Sequence, residues 1–289
     1  MRGPHNIWRL IRTGATFERT GAMGVVLDAF DAPPHLRLAA RVLGWPFKWL
    51  GLKGDVKTPP ATRALTALGP AYIKFGQILS TRPDVVGDEL AEQLKVLQDK
   101  LPPFPIEVAK QSIARELGDD TDNIFSDFNP ALAAASIAQV HKATLRENGE
   151  QVAVKVLRPG IERAFQKDLD AFFLAAWIIE MLSPSSRRLR PMDVITHFEN
   201  VVLGELDLRL ESSAASEFAA NTANDDGFTL PKIKWQHSGR RVMTMTWAEG
   251  VAMGDNDAID AAGHDRQVLS TRVLQLFLSH ALRDGYFHA

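Results

Sequence analysis

Two short segments in the middle of the chain carry the pattern of a β-hairpin. Apolar and polar residues alternate over 137–145, Asn148 and Gly149 supply the positive φ angles of a tight turn, and residues 151–157 return as a β-branched strand. Successive side chains of a strand point to opposite faces, so Lys155 shares its face with small and apolar neighbours. A lone lysine on a strand is most often a solvated edge residue. A charge among apolar neighbours, however, needs a partner elsewhere in the chain.

The stretch before this hairpin is rich in small residues. A first strand is predicted over residues 124–128, and a loop is predicted to follow it. The small residues of this loop are Ala131, Ala133, Ala134, Ala135 and Ser136. The loop has no glycine. Its backbone can still approach a phosphate group, but each Cβ narrows the allowed φ/ψ range and reduces the clearance between backbone and phosphate.

Residues 152–155, Val-Ala-Val-Lys, match the third-strand signature of protein kinases, whose lysine contacts the nucleotide phosphates and a glutamate on the next long helix. Protein kinases place a glycine-rich loop before this strand, whereas this chain has alanines there. With Ala-Ala-Ala-Ser-Ile-Ala-Gln-Val-His at 133–141, the chain resembles the UbiB family of atypical kinase-like proteins, also called the AarF family. The resemblance implies that residues 131–136 lie over the phosphates of ATP and that Lys155 contacts them.

Residues 61–80 have the spacing of one amphipathic helix that carries Lys74, Gly76 and Gln77. Gly76 lowers helix propensity by about 1 kcal/mol unless close backbone packing requires it. As a bare pattern, an ordinary amphipathic helix is the favoured interpretation. Together with residues 97–103, however, it resembles the Lys-x-Gly-Gln extension of the UbiB family, which folds over the nucleotide cleft where a protein substrate would lie. The resemblance makes Lys74 and Gln77 residues that close the cleft.

Residues 191–221 are predicted to form one long helix that carries Glu205, Asp207 and Glu211. On a continuous helix Asp207 and Glu211 share a face, whereas Glu205 lies about 200° around the axis, so the three carboxylates cannot serve one contact. The resemblance implies that Glu211 pairs with Lys155 and that Glu205 and Asp207 meet the Lys-x-Gly-Gln helix and help to close the cleft. Without the resemblance, a solvated acidic face that includes an arginine is the simpler explanation.

Residues 232–235 and 241–247 are predicted as a strand pair, after which Glu249 lies where a kinase hinge receives adenine. A helix is predicted over 264–284, and His288 follows it. UbiB proteins continue from this point with a catalytic aspartate and with residues that bind magnesium. We therefore assign no metal ligand within the chain and expect Mg²⁺ ligands beyond residue 289. The sequence suggests a fragment or a truncated gene model that binds nucleotide weakly, turns over no ATP and exposes an apolar patch.

The N-terminal residues are basic and aromatic. Residues 1–54 contain eight Arg and Lys against three Asp and Glu, although the whole chain has a net charge of −2. Residues 5–20 have the pattern of a basic amphipathic helix, and Trp45, Phe47 and Trp49 follow among further cations. This composition suits a peripheral contact with a membrane. Aromatic residues that dock the segment onto its own domain explain it equally well.

Composition excludes several classes of function. The chain has no cysteine, so disulfides, thiolate metal sites and thiol nucleophiles are excluded. Its charge gives no reason to expect nucleic acid as a partner. No run approaches the roughly 18 apolar residues that span a bilayer, and no signal-peptide pattern is present. We expect a cytoplasmic chain, peripheral to the inner membrane.

These patterns together predict an α+β, protein-kinase-like fold, made mainly of the sheet-containing N-lobe and the start of the C-lobe, with an N-terminal helical extension. The predicted segments are the basic aromatic residues 1–54, the extension 55–118, the N-lobe 119–250 and the start of the C-lobe 251–289. The resemblance implies ATP and Mg²⁺ as cofactors, Lys155 and Glu211 as catalytic residues, and residues 131–136 and Glu249 as nucleotide contacts.

The function implied by the resemblance is that of an atypical kinase-like ATPase that supports ubiquinone biosynthesis, with a nucleotide and an isoprenoid lipid or quinone precursor as partners. The alternative is a catalytically incompetent lipid-binding scaffold with a regulatory nucleotide fold. An ordinary protein kinase is disfavoured, because the glycine-rich loop is absent and the extension would obstruct a peptide substrate.

Overall fold

The structure is a computed structural model that describes residues 4–29, 32, 34, 37, 38, 42, 44–98, 102–182, 187, 188 and 190–286. The chain divides into two compact units. The first contains the described residues up to Val108, together with Ala133–Gln139 and Leu157–Leu206. The second contains Ala109–Leu132, Val140–Val156 and the described residues from Asp207 onward.

The chain is helical before the sheet. The helices are α1 Pro4–Thr20, α2 Ala22–Ala29, α3 Pro60–Leu68, α4 Pro70–Ser80, α5 Pro83–Val86, α6 Asp88–Lys95, α7 Ile106–Leu117 and α8 Thr121–Ile124, with 3-10 turns at Trp45–Leu50 and Val96–Gln98. The sheet strands are β1 Phe125–Ala134, β2 Ala138–Leu145, β3 Gln151–Leu157 and β4 Val242–Thr246. The later helices are α9 Ile161–Leu182, α10 Pro191–Glu205, α11 Leu208–Asn221, α12 Asn256–Ala261 and α13 Arg266–Ser279.

Residues 61–80 belong to two helices, so the prediction of a single helix is wrong. Gly69, between α3 and α4, has a φ of +118°, and Pro70 begins α4. Glycine adopts this backbone conformation without steric cost, and proline at a first helical position has no N–H that would need a partner. The Gly-Pro pair therefore ends one helix and starts the next, and the Lys-x-Gly-Gln motif lies on α4 alone.

The core of the first unit forms around α3, α4 and α6. Its buried members are Ala61, Leu65, Tyr72, Ile73, Val86, Leu90, Ala91, Leu94 and Leu97. A Cβ added to Gly76 would lie 2.5 Å from Cδ1 of Leu97 and 2.6 Å from Cδ1 of Leu65. Close packing therefore requires glycine at this helical position, which offsets its low helix propensity.

Helix α1 packs against α3, α9 and the 3-10 turn Trp45–Leu50 in the first unit. Polar side chains make two of its contacts: Arg9 forms an ion pair with Asp168, and the Thr13 hydroxyl oxygen lies 2.6 Å from that of Tyr72. Trp8, by contrast, is 51% exposed. The N-terminal helix is thus docked on its own unit, but not through its tryptophan. None of the described helices is long and apolar enough to cross a membrane.

The four strands form one sheet in the order β1-β2-β3-β4. Gly149, in the β2–β3 turn, has a φ of +71°, as predicted, whereas the positive φ predicted for Asn148 is wrong, because residues 146–150 connect the strands in place of a two-residue turn. Strand β3 pairs antiparallel with β4, and Lys155 lies opposite Met243. Because β3 has a neighbour on each side, Lys155 is not on an edge strand.

Two predictions about the sheet are wrong. Strand β1 continues to Ala134, so Ala131, Ala133 and Ala134 belong to a strand and only residues 135–137 connect β1 to β2. Alanine side chains do not indicate where a strand ends, because pairing with the neighbouring strand determines its length. Residues 232–235 form an isolated bridge to β4 through Ile233 rather than a full strand, since the chain enters a 3-10 turn at Trp235–His237.

The predicted long helix over 191–221 is broken at Leu206 and Asp207. Asp207 has extended backbone angles, and its carboxylate accepts a hydrogen bond from the Arg209 amide, which makes it the N-cap of α11. Leu206 and Leu208 are 1% and 0% exposed. On one continuous helix these two side chains would point to nearly opposite sides, so the break lets both be buried.

The predicted helix over 264–284 is confirmed as α13 followed by a π-helical turn His280–Asp284, and Gly285 ends it with a φ of +68°. No residue of α13 is buried, and Leu274 and Phe277 are 58% and 45% exposed. His288 lies outside the described residues.

Candidate functional site

Lys155 and Glu211 form an ion pair within the second unit. The Lys155 Nζ lies 2.7 Å from Oε1 and 2.6 Å from Oε2 of Glu211. The lysine side chain is 23% exposed and the glutamate side chain 48%. The contact predicted between these residues is therefore confirmed, and an unpaired lysine on a solvated edge strand is excluded. Because both groups keep access to solvent, the pair contributes little to stability by itself.

Two elements position this pair. On β3, Val154 and Val156 flank Lys155 and are both 0% exposed, which fixes the strand on either side of it. On α11, Leu208 and Ser212 are 0% exposed, and the Leu208 amide donates to the Arg240 carbonyl at 2.9 Å. Glu211 lies in the first turn of α11, where the helix dipole favours a negative charge. The break before α11 therefore determines where Glu211 is placed.

Lys74 and Glu205 form a second pair, within the first unit. The Lys74 Nζ lies 2.5 Å from Oε1 of Glu205, and the two side chains are 21% and 32% exposed. The Gln77 side-chain amide donates to the Leu97 carbonyl at 2.7 Å. The predicted contact between Glu205 and the Lys-x-Gly-Gln helix is thus confirmed, whereas the role of this helix in closing a cleft stays a prediction.

Asp207 caps α11. Its carboxylate accepts from the Arg209 guanidinium at 2.9 and 2.6 Å as well as from the Arg209 amide. These hydrogen bonds hold the pKa of Asp207 below its usual value. That Asp207 also meets the extension stays a prediction.

The connection between β1 and β2 is held by a residue that sequence reasoning missed. The Ala135 amide donates to the Ala138 carbonyl at 2.8 Å and closes the turn over residues 135–137. Arg158, the first residue after β3, donates from Nε to the Ala135 carbonyl at 3.1 Å and from its amide to the Ile137 carbonyl at 2.8 Å. Ser136 within the turn is 7% exposed. One arginine thus holds both ends of the turn 135–137, which contains the last two residues of the segment predicted to lie over the phosphates.

Gln139 was also missed, although the sequence holds a signal for it. It alternates with His141 and Ala143 on one face of β2, and these three residues are 1%, 0% and 0% exposed. A polar side chain on such a buried face implies a hydrogen-bond partner. That partner is the backbone of Phe104, whose amide donates to Gln139 Oε1 at 2.9 Å and whose carbonyl accepts from Nε2 at 3.3 Å.

Glu249 is exposed and lies in an irregular segment after β4. The Trp247 amide donates to the Gln151 carbonyl at 3.0 Å, which extends the pairing of β3 and β4 by one bond, and the Lys142 ammonium lies 4.5 Å from the centroid of the Trp247 ring. The predicted place of Glu249 near adenine stays a prediction. Across the described residues there is no group of three or more His, Cys, Asp or Glu that could hold a metal ion.

Comparison with known proteins matches residues 96–289 to the ABC1 atypical kinase-like domain. Curated relatives bear the name Probable protein kinase UbiB. The one from Marinobacter nauticus is 41% identical over 78% of this chain and 41% of its own length, and one from Shewanella baltica is 38% identical over 100% of this chain and 51% of its own. This chain therefore spans about half the length of the curated relatives that it matches.

One solved structure resembles this chain with a TM-score of 0.52 and 28% sequence identity, over 74% of this chain and 54% of that one. It is the complex of the Mycobacterium tuberculosis protein Rv3197 with erythromycin.

Proposed function

Because the chain belongs to the ABC1 atypical kinase-like family, we propose that it binds ATP with Lys155 on the nucleotide phosphates and Glu211 as the residue that orients the lysine. The observation that carries this proposal is the ion pair between the two side chains, at 2.6 and 2.7 Å. Kinase-like nucleotide binding needs this contact between a third-strand lysine and a glutamate of the following long helix.

The surroundings of Lys155 suit an anionic ligand. An ammonium group has three N–H donors, and the contact with one carboxylate leaves capacity for a phosphate oxygen. With 23% of its side chain exposed, Lys155 is partly shielded from water but still accessible. A charge in such surroundings attracts a phosphate more strongly than it would in bulk water. Glu211 holds the ammonium in one place, so little side-chain freedom is lost when the ligand binds.

Magnesium is the metal that the family implies, and it would neutralise charge on the phosphates. The described residues do not fit a complete magnesium site, since no group of three or more acidic or histidine side chains converges among them. For this chain we therefore propose nucleotide binding alone. For the whole protein we propose a kinase-like ATPase that supports ubiquinone biosynthesis, with an isoprenoid lipid or quinone precursor as its partner, on the basis of the UbiB relatives.

Thermal unfolding with and without ADP or ATP and Mg²⁺ tests the nucleotide proposal. We expect a nucleotide-dependent rise in Tm for the wild type and a much smaller rise for Lys155→Met. Lys234→Met is the matched control, because Lys234 pairs with Glu150 at 2.6 Å in the same unit and its side chain is 25% exposed. An equal rise in Tm for the wild type and Lys155→Met would exclude Lys155 as a phosphate ligand.

A second candidate function, peripheral binding to an anionic membrane, rests on the exposed aromatic residues of the N-terminal segment. Trp8, Phe47 and Trp49 are 51%, 42% and 74% exposed. Arg19 donates from Nη1 to the carbonyls of Trp49 and Gly51 at 3.2 and 2.7 Å, which holds the 3-10 turn Trp45–Leu50 against α1. These aromatic residues therefore do not dock the segment, and exposed tryptophans near cations suit a lipid headgroup layer.

Sedimentation with vesicles that contain phosphatidylglycerol tests this candidate. Deletion of residues 1–54 would remove α1 from the packing of the first unit, so we prefer the double variant Trp8→Ala, Trp49→Ala. We expect it to lose most vesicle binding, and we expect Trp235→Ala, which removes a tryptophan that is also 51% exposed, to retain it. Added salt should weaken the binding of the wild type only in part, because the aromatic contribution is not screened. Equal loss in both variants would show that the N-terminal segment has no special role.

A further inference from the structure

The segment 102–104 is bonded to the same arginine that holds the β1–β2 turn. Arg158 donates from Nη2 to the Pro102 carbonyl at 2.9 Å, and its guanidinium lies 5.7 Å from the centroid of the Phe104 ring. Its Nε donates at the same time to the Ala135 carbonyl at 3.1 Å. All of these residues belong to the first unit. One guanidinium group thus joins two segments that are far apart in the sequence.

A second side chain holds the same segment. Residues 102 and 103 are prolines, which have no N–H, so Phe104 carries the first backbone donor of this stretch. That donor and the Phe104 carbonyl both bond to the side chain of Gln139, which is 1% exposed and lies just after the turn, in β2. Because proline restricts φ, the segment is stiff, and its two attachments fix its position relative to the turn.

The attachments extend to the helix that carries the Lys-x-Gly-Gln motif. Gln77 on α4 donates to the Leu97 carbonyl at 2.7 Å. Leu97 is 5% exposed and belongs to the core of the first unit. Leu97 is therefore bonded to α4, and the segment 102–104 to Arg158 and Gln139.

We propose that Arg158 and Gln139, with the segment 102–104, form a clamp that sets the conformation of the turn 135–137 and thereby the affinity of the chain for nucleotide. The proposal rests on the nucleotide function proposed above and on the prediction that residues 131–136, of which Ala135 and Ser136 belong to this turn, lie over the phosphates. Arg158 and Gln139 are positioning residues in this account, and they act through the backbone of the turn. Glycines would give such a loop more conformational freedom, whereas the clamp holds the backbone of this turn in one conformation. A turn that is already ordered loses less entropy when phosphate binds.

Two variants break the clamp in different ways. Arg158→Lys keeps the positive charge but loses the planar geometry that reaches two carbonyls at once. Gln139→Met has nearly the same size and leaves the charge unchanged, but it removes both hydrogen bonds to Phe104. The matched control is Arg146→Lys, because Arg146 follows β2 and donates from Nε to the Asp122 carbonyl at 2.9 Å and from Nη2 to the Phe125 carbonyl at 3.4 Å.

Hydrogen exchange measured by mass spectrometry on the nucleotide-free protein tests the clamp directly. We expect peptides that contain residues 135–138 to exchange faster in Arg158→Lys and Gln139→Met than in the wild type, and we expect Arg146→Lys to leave them unchanged. The Tm of each variant is measured in parallel, because a general loss of stability would raise exchange throughout the sheet rather than at the turn. Unchanged exchange at the turn in both clamp variants would overturn the proposal.

Calorimetric titration with ADP and Mg²⁺ tests the effect on affinity. Loss of one or two hydrogen bonds corresponds to about 3-fold to 10-fold weaker binding in each clamp variant, with no change in Arg146→Lys. Faster exchange together with wild-type affinity would show that the clamp orders the turn but does not affect nucleotide binding. That result would contradict the proposed control of nucleotide affinity. If the wild type itself binds no nucleotide, the proposed function fails and control of affinity fails with it, whereas the exchange data still show whether the clamp holds the turn.

Discussion

Two lysine–glutamate pairs, Lys155 with Glu211 and Lys74 with Glu205, have similar chemistry but different surroundings. Lys155 and Lys74 are 23% and 21% exposed, and each contacts its glutamate within 2.7 Å. Lys155 lies on a strand between fully buried valines, and its partner Glu211 is 48% exposed. Glu205, the partner of Lys74, is 32% exposed, and α4 packs against the core through Gly76. The glutamate of the first pair is more exposed, whereas the lysine of the second pair lies on a tightly packed helix.

Because the two pairs have the same chemistry, the presence of an ion pair alone does not indicate whether its lysine binds a ligand. A partly exposed pair contributes at most about 1 kcal/mol to stability. What distinguishes the pairs is the element that carries each lysine and the exposure of the partner glutamate. We therefore expect perturbation of α4 to change stability and perturbation of Lys155 to change ligand binding.

The largest effect is expected from Gly76→Val, which breaks the packing around the second pair. The new side chain would meet Leu65 and Leu97, whose Cδ1 atoms would lie 2.6 and 2.5 Å from its Cβ. Such overpacking should lower the free energy of unfolding by about 2 kcal/mol, as measured by urea denaturation.

Gly204→Ala is its matched control, since α10 leaves nothing within 4 Å of the added Cβ. It should raise stability by up to about 1 kcal/mol through helix propensity. Equal destabilisation by both substitutions would contradict the close packing assigned to α4.

A smaller effect is expected from another ion pair of the first unit, Arg9 with Asp168. Burial raises the pKa of Asp168 to about 6, because the loss of hydration outweighs the attraction of Arg9 and Arg12. An ordinary aspartate titrates near 3.8, so between these values the folded state binds more protons than the unfolded state, and stability falls as pH rises. Tyr72 stays neutral in this range, because burial raises its pKa to about 12.

Asp168→Asn removes this titration. Relative to the variant, the wild type should gain on the order of 1 kcal/mol of stability when the pH falls from about 7.5 to about 5. Thermal or urea unfolding of both proteins at the two pH values measures it, and other titrating groups cancel in the difference. A difference between the two proteins that does not vary with pH would show that burial does not raise this pKa.

The smallest effect is expected from Lys74→Met. Removal of a partly exposed ion pair should cost about 0.5 kcal/mol, and added salt should reduce that cost. Glu205→Gln should have a similar effect, and the double variant should cost little more than either single one. Additive losses in urea denaturation would show that the two residues do not act as a pair.

The sequence was sufficient for much of the fold and of the site. The kinase-like α+β fold, the hairpin and the contacts of Lys155 with Glu211 and of Lys74 with Glu205 are confirmed, because each rests on local alternation or on ordered motifs of the family. The break at Asp207 was missed, although an aspartate between two buried leucines is a signal of a helix cap. Gly69-Pro70 was likewise a breaker signal that helical periodicity obscured.

The Arg158 contacts could not be found in this way. Arg158 and Pro102 are 56 residues apart, and nothing in the local pattern of either residue names the other. Such contacts arise when the chain folds back on itself and a long side chain meets a backbone carbonyl that has no partner nearby. A single sequence indicates elements and motifs, whereas it does not indicate which distant carbonyl a half-buried arginine will meet.

In the proposed site Lys155 holds the nucleotide phosphates and Glu211 orients it. Calorimetric titration with ADP and Mg²⁺ on Lys155→Met, Glu211→Gln, the double variant and Lys234→Met tests this most directly. We predict about tenfold or greater loss of affinity for Lys155→Met and about threefold for Glu211→Gln. The double variant should be no weaker than Lys155→Met, because Glu211 acts through the lysine, and Lys234→Met, which removes a lysine paired with Glu150, should bind as the wild type does. Wild-type affinity in Lys155→Met, or equal loss in Lys234→Met, would contradict the account.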